Sequence, residues 1–336
     1  MGFEFMFPSI YDGAQMQGRI ELPFDVTDGS TARFKSWKPK TAIVAHPYQP
    51  LGGNCDDPVV RTVARELLQQ GYVVGTFNFR GAGQSQGRTS WTGKGEVGDY
   101  TSFCIFMIEF IVNFLARRRS NDGDKEQDTA LETLKGMEFV LGGYSYGSMI
   151  ASNLPSIDII LDLFTDAHQE VDGEEGIEKT MHDFMLRLLQ SRDKPADPAH
   201  HSKLKLKSGT LCVSYLLISP ILPPVSSLAT VSFFRPNLDL TFTSKNGITI
   251  ACNPLEKKVM EGHRTLAVFG TSDMFCGIAK LRAWSTKMKA VEGSRFEECE
   301  VEGASHFWAE RSHQAELRKA VRQWVVRGEA ESSPSL

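Results

Sequence analysis

The chain has 336 residues, a net charge of −4 and ordinary apolar and charged fractions. That length suits one large α/β domain carrying an insertion, and the weakly acidic balance argues against nucleic acid or an acidic membrane surface as a partner. Its six cysteines form no Cys-x-x-Cys pair and no close Cys/His cluster, which argues against a disulfide framework or a structural zinc site and for a reducing, cytoplasmic compartment. The first residues lack a basic and apolar leader, and Met6 stands where a myristoylation signal needs Ser or Thr. The longest apolar stretch, 103–116, is interrupted by Glu109 and Asn113, so it reads as a buried helix and no membrane span is expected.

Residues 3–7 and 14–22 read as two strands joined by a turn at Asp12-Gly13. Residues 41–45 form a short, wholly apolar strand, followed by a Pro- and Gly-containing loop from His46 to Asn54. Asp56-Asp57-Pro58 then opens a helix, an acidic cap with proline in the first turn; its stripe is Val60, Val63, Ala64, Leu67 and Leu68, closed by Gly71. A strand over 72–79 leads into the glycine-rich turn 80–87, which spaces its glycines as Gly-x-Gly-x-x-x-Gly. That spacing misses the dinucleotide fingerprint and no helix opens from it, so no nucleotide cofactor is expected. A helix spans about 99–118, a polar loop 120–128, and a strand 137–141. Strand and helix alternate throughout this half, the pattern of a parallel sheet covered on both faces.

From 155 to 208 the rhythm breaks, and Met181, Phe184, Met185, Leu188 and Leu189 fall at helical spacing. This stretch reads as a helical insertion and candidate lid, or as packing against the sheet. Strands resume at 211–219, more weakly at 230–234 and 247–252, then at 265–270 and 296–301. A helix over 278–290 separates the last two strands. The final helix carries Leu317, Ala320, Val321, Trp324 and Val325 on one face. The expected division is a core of 1–154 and 209–328, the insertion 155–208, and a polar tail 329–336.

The strand at 137–141 runs into Gly143-Tyr144-Ser145-Tyr146-Gly147 and then a helix, a Gly-x-Ser-x-Gly nucleophile elbow. Gly143 and Gly147 stand two residues either side of Ser145, where the sharp turn leaves no room for bulk. A serine hydroxyl needs a base, and the base needs a third group to orient it. In enzymes built on such an elbow the chain order is Ser, acid, His, each at the carboxyl end of a strand. Asp273 follows the strand ending at Gly270, and His306 follows the strand ending at Val301. His168, His182, His200 and His201 fall in the insertion, His263 precedes a strand, and His313 lies within the last helix; Asp158, Asp162 and Asp239 follow no clear strand. The oxyanion donors expected are the backbone N–H of Tyr146 and one from the His46 loop. Pro47 has no N–H, so Tyr48 takes that place with Gln49 next in line, while His46 organises the loop.

With these residues in place the sequence resembles the α/β-hydrolase superfamily. Within it, the resemblance is to hydrolases with a His-Pro loop followed by Gly-Gly, an Asn-Phe-Arg-Gly-x-Gly-x-Ser-x-Gly turn, and a Gly-x-Ser-x-Gly elbow. Here these are His46-Pro47 with Gly52-Gly53, Asn78 to Gly87, and Gly143 to Gly147. The similarity runs over about 38–326, excluding the insertion, and the loop reads His-Pro-Tyr rather than the His-Gly-Gly-Gly of many lipases. The resemblance implies a mostly parallel, twisted sheet of about eight strands with helices on both faces, and acyl chemistry without cofactor or metal. The expected substrate is a small, partly apolar acyl compound, a carboxylic ester or thioester, attacked by Ser145 with His306 and Asp273. A peptidase or acyltransferase using the same three residues, or a non-catalytic binding protein on this fold, are the other readings.

Overall fold

The structure, a computed structural model, describes residues 2–23, 37–90, 92–122, 135–167, 211–222 and 241–332. Its strands in chain order are β1 (Gly2–Pro8), β2 (Gln15–Glu21), β3 (Lys40–Ala45), β4 (Val73–Phe77), β5 (Met137–Tyr144), β6 (Leu211–Ile218), β7 (Phe242–Thr243), β8 (Thr249–Ile250), β9 (Arg264–Gly270) and β10 (Phe296–Val301). Its α-helices are α1 (Pro58–Gln69), α2 (Lys94–Asp122), α3 (Tyr146–Ser152), α4 (Ile157–Ala167), α5 (Leu255–Met260), α6 (Ile278–Lys289) and α7 (Arg311–Ser332). Eight strands form one sheet in the order β1-β2-β4-β3-β5-β6-β9-β10, and β7 pairs with β8 apart from it. β1 and β2 are an antiparallel hairpin and β2 runs antiparallel to β4. From β4 to β10 every pairing is parallel.

The central strands are apolar on both faces because both faces are covered. In β3, Ala42 and Val44 point into a core shared with Val60, Leu67, Val321 and Trp324 of α1 and α7. Ile43 and Ala45 point into the other core, with Phe103, Met107 and Ile150 of α2 and α3. This two-sided burial is the reason strands of this kind read as continuous rather than alternating apolar runs. α1 starts as the sequence predicts: the Asp57 carboxylate accepts from the N–H groups of Val59 (2.8 Å) and Val60 (3.4 Å), and Pro58 fills the first turn. The stripe expected for α7 is buried throughout.

α2 begins at Lys94, earlier than residue 99, because Glu96 accepts from the Ser90 N–H at 2.6 Å and the Ser90 hydroxyl accepts from Gly93 N–H at 2.9 Å, closing the turn ahead of it. By length and composition its segment Lys94–Leu115 could cross a bilayer, but 89% of the apolar window is buried inside the protein. Its ring Phe106 stacks on Phe5 at 4.1 Å, and Phe103 lies 4.8 Å from Phe77, so α2 welds the hairpin to the parallel strands. Of the insertion, α4 is described, with Ile160 and Leu161 in the core; residues 168–208 lie outside the described residues, as does the strand expected at 230–234. α7 continues through 329–332, which the sequence places in a polar tail, because Glu329 pairs with Lys40 and Glu331 with Arg295 at 2.5 Å.

The glycine-rich turn after β4 is tied down by one buried cation. Arg80 donates to both oxygens of Asp99 in α2 (2.7 and 3.0 Å) and to Asp12 of the hairpin turn (3.0 Å). Burial pushes the Asp99 carboxyl up, and the Arg80 guanidinium counters it. Removing one partner of such a pair leaves the other charged and buried. Arg80→Ala should therefore lower stability by roughly 3–5 kcal/mol in urea denaturation, and adding Asp99→Asn should recover part of that loss.

Candidate active site

β5 ends against a turn that forces Ser145 to φ 57° and ψ −115°, a left-handed backbone that costs a serine about 1–3 kcal/mol. Four contacts hold it there. The Ser145 N–H donates to the Ile218 carbonyl of β6 at 2.8 Å. The Ser145 carbonyl accepts from the N–H groups of Ser148 (3.1 Å) and Met149 (3.2 Å) and from the Ser148 hydroxyl (2.7 Å). A Cβ on Gly147 would stand 2.5 Å from the Ala45 carbonyl oxygen, and one on Gly143 would stand 2.3 Å from the Gly147 carbonyl carbon. α3 thus packs down onto the end of β3 only with glycine at both positions. At its far end Lys258 donates to the carbonyls of Ser152 (3.1 Å) and Ala151 (3.4 Å) from a buried position over the Tyr215 ring, and burial pulls its amine down to about 7.

The loops after β9 and β10 bring Asp273 and His306 to this serine. His306 Nε2 lies 2.8 Å from Ser145 Oγ, and His306 Nδ1 lies 2.7 Å from an Asp273 oxygen. All three side chains are buried. The second Asp273 oxygen accepts from the N–H groups of Phe275 (2.8 Å) and Cys276 (3.1 Å), which fixes the orientation of the carboxylate. With Asp273 accepting at Nδ1, the neutral imidazole carries its proton there and presents the Nε2 lone pair to the serine hydroxyl. Such a chain can take a proton from Ser145 and stabilise the imidazolium that results.

Tyr146 is the first residue of α3, so its N–H belongs to the turn whose amides point out of the helix end. Tyr48 caps the short 3-10 turn Gln49–Leu51, and its ring lies 5.1 Å from that of Tyr146. The two residues expected as oxyanion donors are therefore neighbours. His46 makes no hydrogen bond to the serine or the acid. Its Nε2 accepts from the Phe79 N–H at 2.9 Å and its Nδ1 donates to the Pro47 carbonyl at 2.6 Å, clipping the loop to the end of the β4 segment. A cleft of about 1070 Å³ opens at the opposite, amino-terminal end of the strands, beside Trp37, Lys40 and Arg264, far from this chemistry. Among the described residues no group of three His, Cys, Asp or Glu side chains is arranged to hold a metal ion.

No protein-family model matches the chain. An uncharacterized protein of Rickettsia prowazekii (strain Madrid E) is 38% identical over 92 residues, which is 27% of this chain and 35% of that protein. The chain thus aligns with about a third of the curated relative's length. Solved structures align far more completely. A protein of unknown function from Agrobacterium tumefaciens is 16% identical, with 98% of both chains covered and a TM-score of 0.53. An α/β serine hydrolase without lid from Xanthomonas campestris is 16% identical, covering 100% of this chain and 96% of its own, at a TM-score of 0.51. An esterase of Pyrococcus furiosus is 15% identical, with 97% and 92% covered and a TM-score of 0.51. The chain has the α/β-hydrolase fold.

Several supports of this site are invisible in a motif. The Tyr144 hydroxyl, in the motif's variable position, donates to the His306 carbonyl at 2.9 Å. A Cβ on Gly270 would fall 1.9 Å from the Ala304 carbonyl oxygen, so the acid loop and the histidine loop touch through backbone. Ser219 and Trp308 both have positive φ (45° and 52°), and the Trp308 indole donates to the Ser219 hydroxyl at 2.9 Å.

Burial holds the His46 imidazole at about 4, below its usual range. The unfolded chain then binds a proton between about pH 6.5 and 4 that the folded chain refuses, so His46 stabilises fully above 6.5 and loses that contribution on acidification to 4. Glu96, raised by burial to about 7, acts in the opposite direction over pH 4.5 to 7. The comparison with His46→Gln isolates the histidine. Between pH 7 and 4.5 the wild type should lose roughly 2–3 kcal/mol more unfolding free energy than the variant in urea titrations.

Proposed function

We propose that the protein is a serine hydrolase that cleaves a carboxylic ester or thioester of a small, partly apolar acyl substrate. The observation that carries this reading is the continuous contact from Asp273 through His306 to Ser145 at 2.7 and 2.8 Å. The solved structures of similar fold, an esterase among them, support it at the level of fold.

Ser145 Oγ attacks the acyl carbon as its proton passes to His306 Nε2, and Asp273 stabilises the imidazolium across Nδ1. The negative oxygen that forms is received by the N–H of Tyr146, aided by the helix end it belongs to, and by that of Tyr48 or, failing it, Gln49. His306 then returns the proton to the departing oxygen or sulfur. Water, deprotonated by the same imidazole, releases the acid from the acyl-enzyme. No cofactor or metal enters these steps. The strained φ of Ser145 projects its hydroxyl out of the turn, which pre-positions the attacking atom.

A fluorophosphonate probe should label the native protein at Ser145. Ser145→Ala should abolish labelling and lower ester hydrolysis by about 10⁴-fold or more, with an unchanged melting temperature. Folded wild type that resists the probe would falsify the assignment.

A further inference from the structure

Six large apolar side chains stand exposed among the described residues: Leu51, Ile248, Met260, Met274, Phe307 and Val326. Two of them follow the acid and the base directly. Met274, next to Asp273, is 66% exposed, and Phe307, next to His306, is 57% exposed. Their other neighbours turn inward: Cys276 and Trp308 are buried. Both loops are also held firmly, the first by the amides of Phe275 and Cys276 on Asp273, the second by Tyr144 on the His306 carbonyl. Two rigid loops therefore hold apolar surface in solvent beside the reactive serine.

Between them lies Phe275, half-buried. Its ring is 4.4 Å from the His306 imidazole and 5.7 Å, edge-on at 80°, from Phe307. Phe307 in turn stands 5.8 Å from the imidazole, near-perpendicular to it at 86°. These two rings make one apolar wall on the imidazole, and Met274 adjoins it in the chain. The chemistry says what comes to that side. When the tetrahedral intermediate collapses, the bond from acyl carbon to leaving oxygen or sulfur breaks, and the proton taken from Ser145 passes from His306 Nε2 to that leaving atom. The leaving atom must then lie about 3 Å from Nε2, and whatever it carries falls against the imidazole's own neighbours. The acyl oxygen is meanwhile turned toward Tyr146 and Tyr48.

Resting on the Ser145 assignment above, we infer that Met274, Phe275 and Phe307 form a leaving-group subsite, and that the preferred substrates are esters or thioesters whose departing alcohol or thiol carries a bulky apolar or aromatic group. Polarizable sulfur and ring faces suit an aromatic partner in particular.

The test holds the acyl group constant and varies the alcohol. Ethyl acetate and 2-phenylethyl acetate have leaving groups of similar basicity, so a difference in kcat/KM reads binding. Wild type should prefer the phenylethyl ester by about 10–30-fold, the yield of burying part of a ring. Met274→Ser with Phe307→Ser should reduce that preference to about threefold or less, chiefly through KM. Both side chains are exposed, so the variant should fold, which circular dichroism and an unchanged melting temperature would establish. Wild type that labels at Ser145 but shows no preference overturns the subsite alone. A variant that keeps the full preference, or loses both esters equally, also overturns it, the latter meaning that these side chains serve another part of the chain. Wild type that does not label overturns the Ser145 assignment and the subsite with it.

Discussion

At the end of β5 the chain turns so sharply that Ser145 sits at φ 57°, and the turn closes only because nothing projects from Gly143 or Gly147. The rest of the carboxyl edge follows from that closure. α3 can lie on the end of β3 because Gly147 meets the carbonyl of Ala45, and the loop beginning at His46 therefore starts beside the serine. β6 supplies the acceptor for the Ser145 N–H, which fixes the elbow against the next parallel strand. The strain at one residue is held by about four hydrogen bonds, each contributing on the order of 1 kcal/mol, so the geometry is over-determined rather than poised to relax.

A second set of constraints is electrostatic and lies mostly on the amino-terminal half. Arg80 with Asp99, His46 between Phe79 and Pro47, and Lys258 against the end of α3 are all buried polar groups. Each is matched to the protonation state its surroundings allow. His46 is kept neutral by burial, and its two nitrogens, one accepting and one donating, find backbone partners in that form. Lys258 meets two carbonyls and a ring face, with no carboxylate bonded to it among the described residues, and burial pulls its amine down. These groups cost desolvation and return definition: the turn 80–87 and the His46 loop have one arrangement relative to the sheet.

Much of this was legible beforehand, for identifiable reasons. Asp57-Pro58, the stripe on α7 and the apolar run of β3 are local signals, and local signals survive folding when tertiary packing agrees with them. Ser145, Asp273 and His306 were found by combining a turn motif with strand ends, a rule about topology rather than propensity, and the structure brings the three together. The early start of α2 was not legible, because Ser90 and Glu96 close that turn through side chains six residues apart. Nor was the continuation of α7 to Ser332: its polar last turn looks like a tail until Lys40 and Arg295 are placed opposite Glu329 and Glu331. Tyr144, Gly270, Ser219 and Trp308 escaped for a deeper reason. Their roles are contacts between segments far apart in the chain, and no window of sequence contains them.

That distance has a further consequence. His306 reaches Ser145 across 161 positions and Asp273 across 33. Contacts of such long range are reached only after most of the chain's loop-closure entropy has been spent. β6, β9 and β10 must all be paired before the imidazole can meet the hydroxyl. During synthesis Ser145 emerges well ahead of His306, and a nascent or truncated chain carries the hydroxyl without the imidazole. Under the proposed function, reactivity at Ser145 is a report on completed folding, because His306 joins it only with the last strand of the sheet.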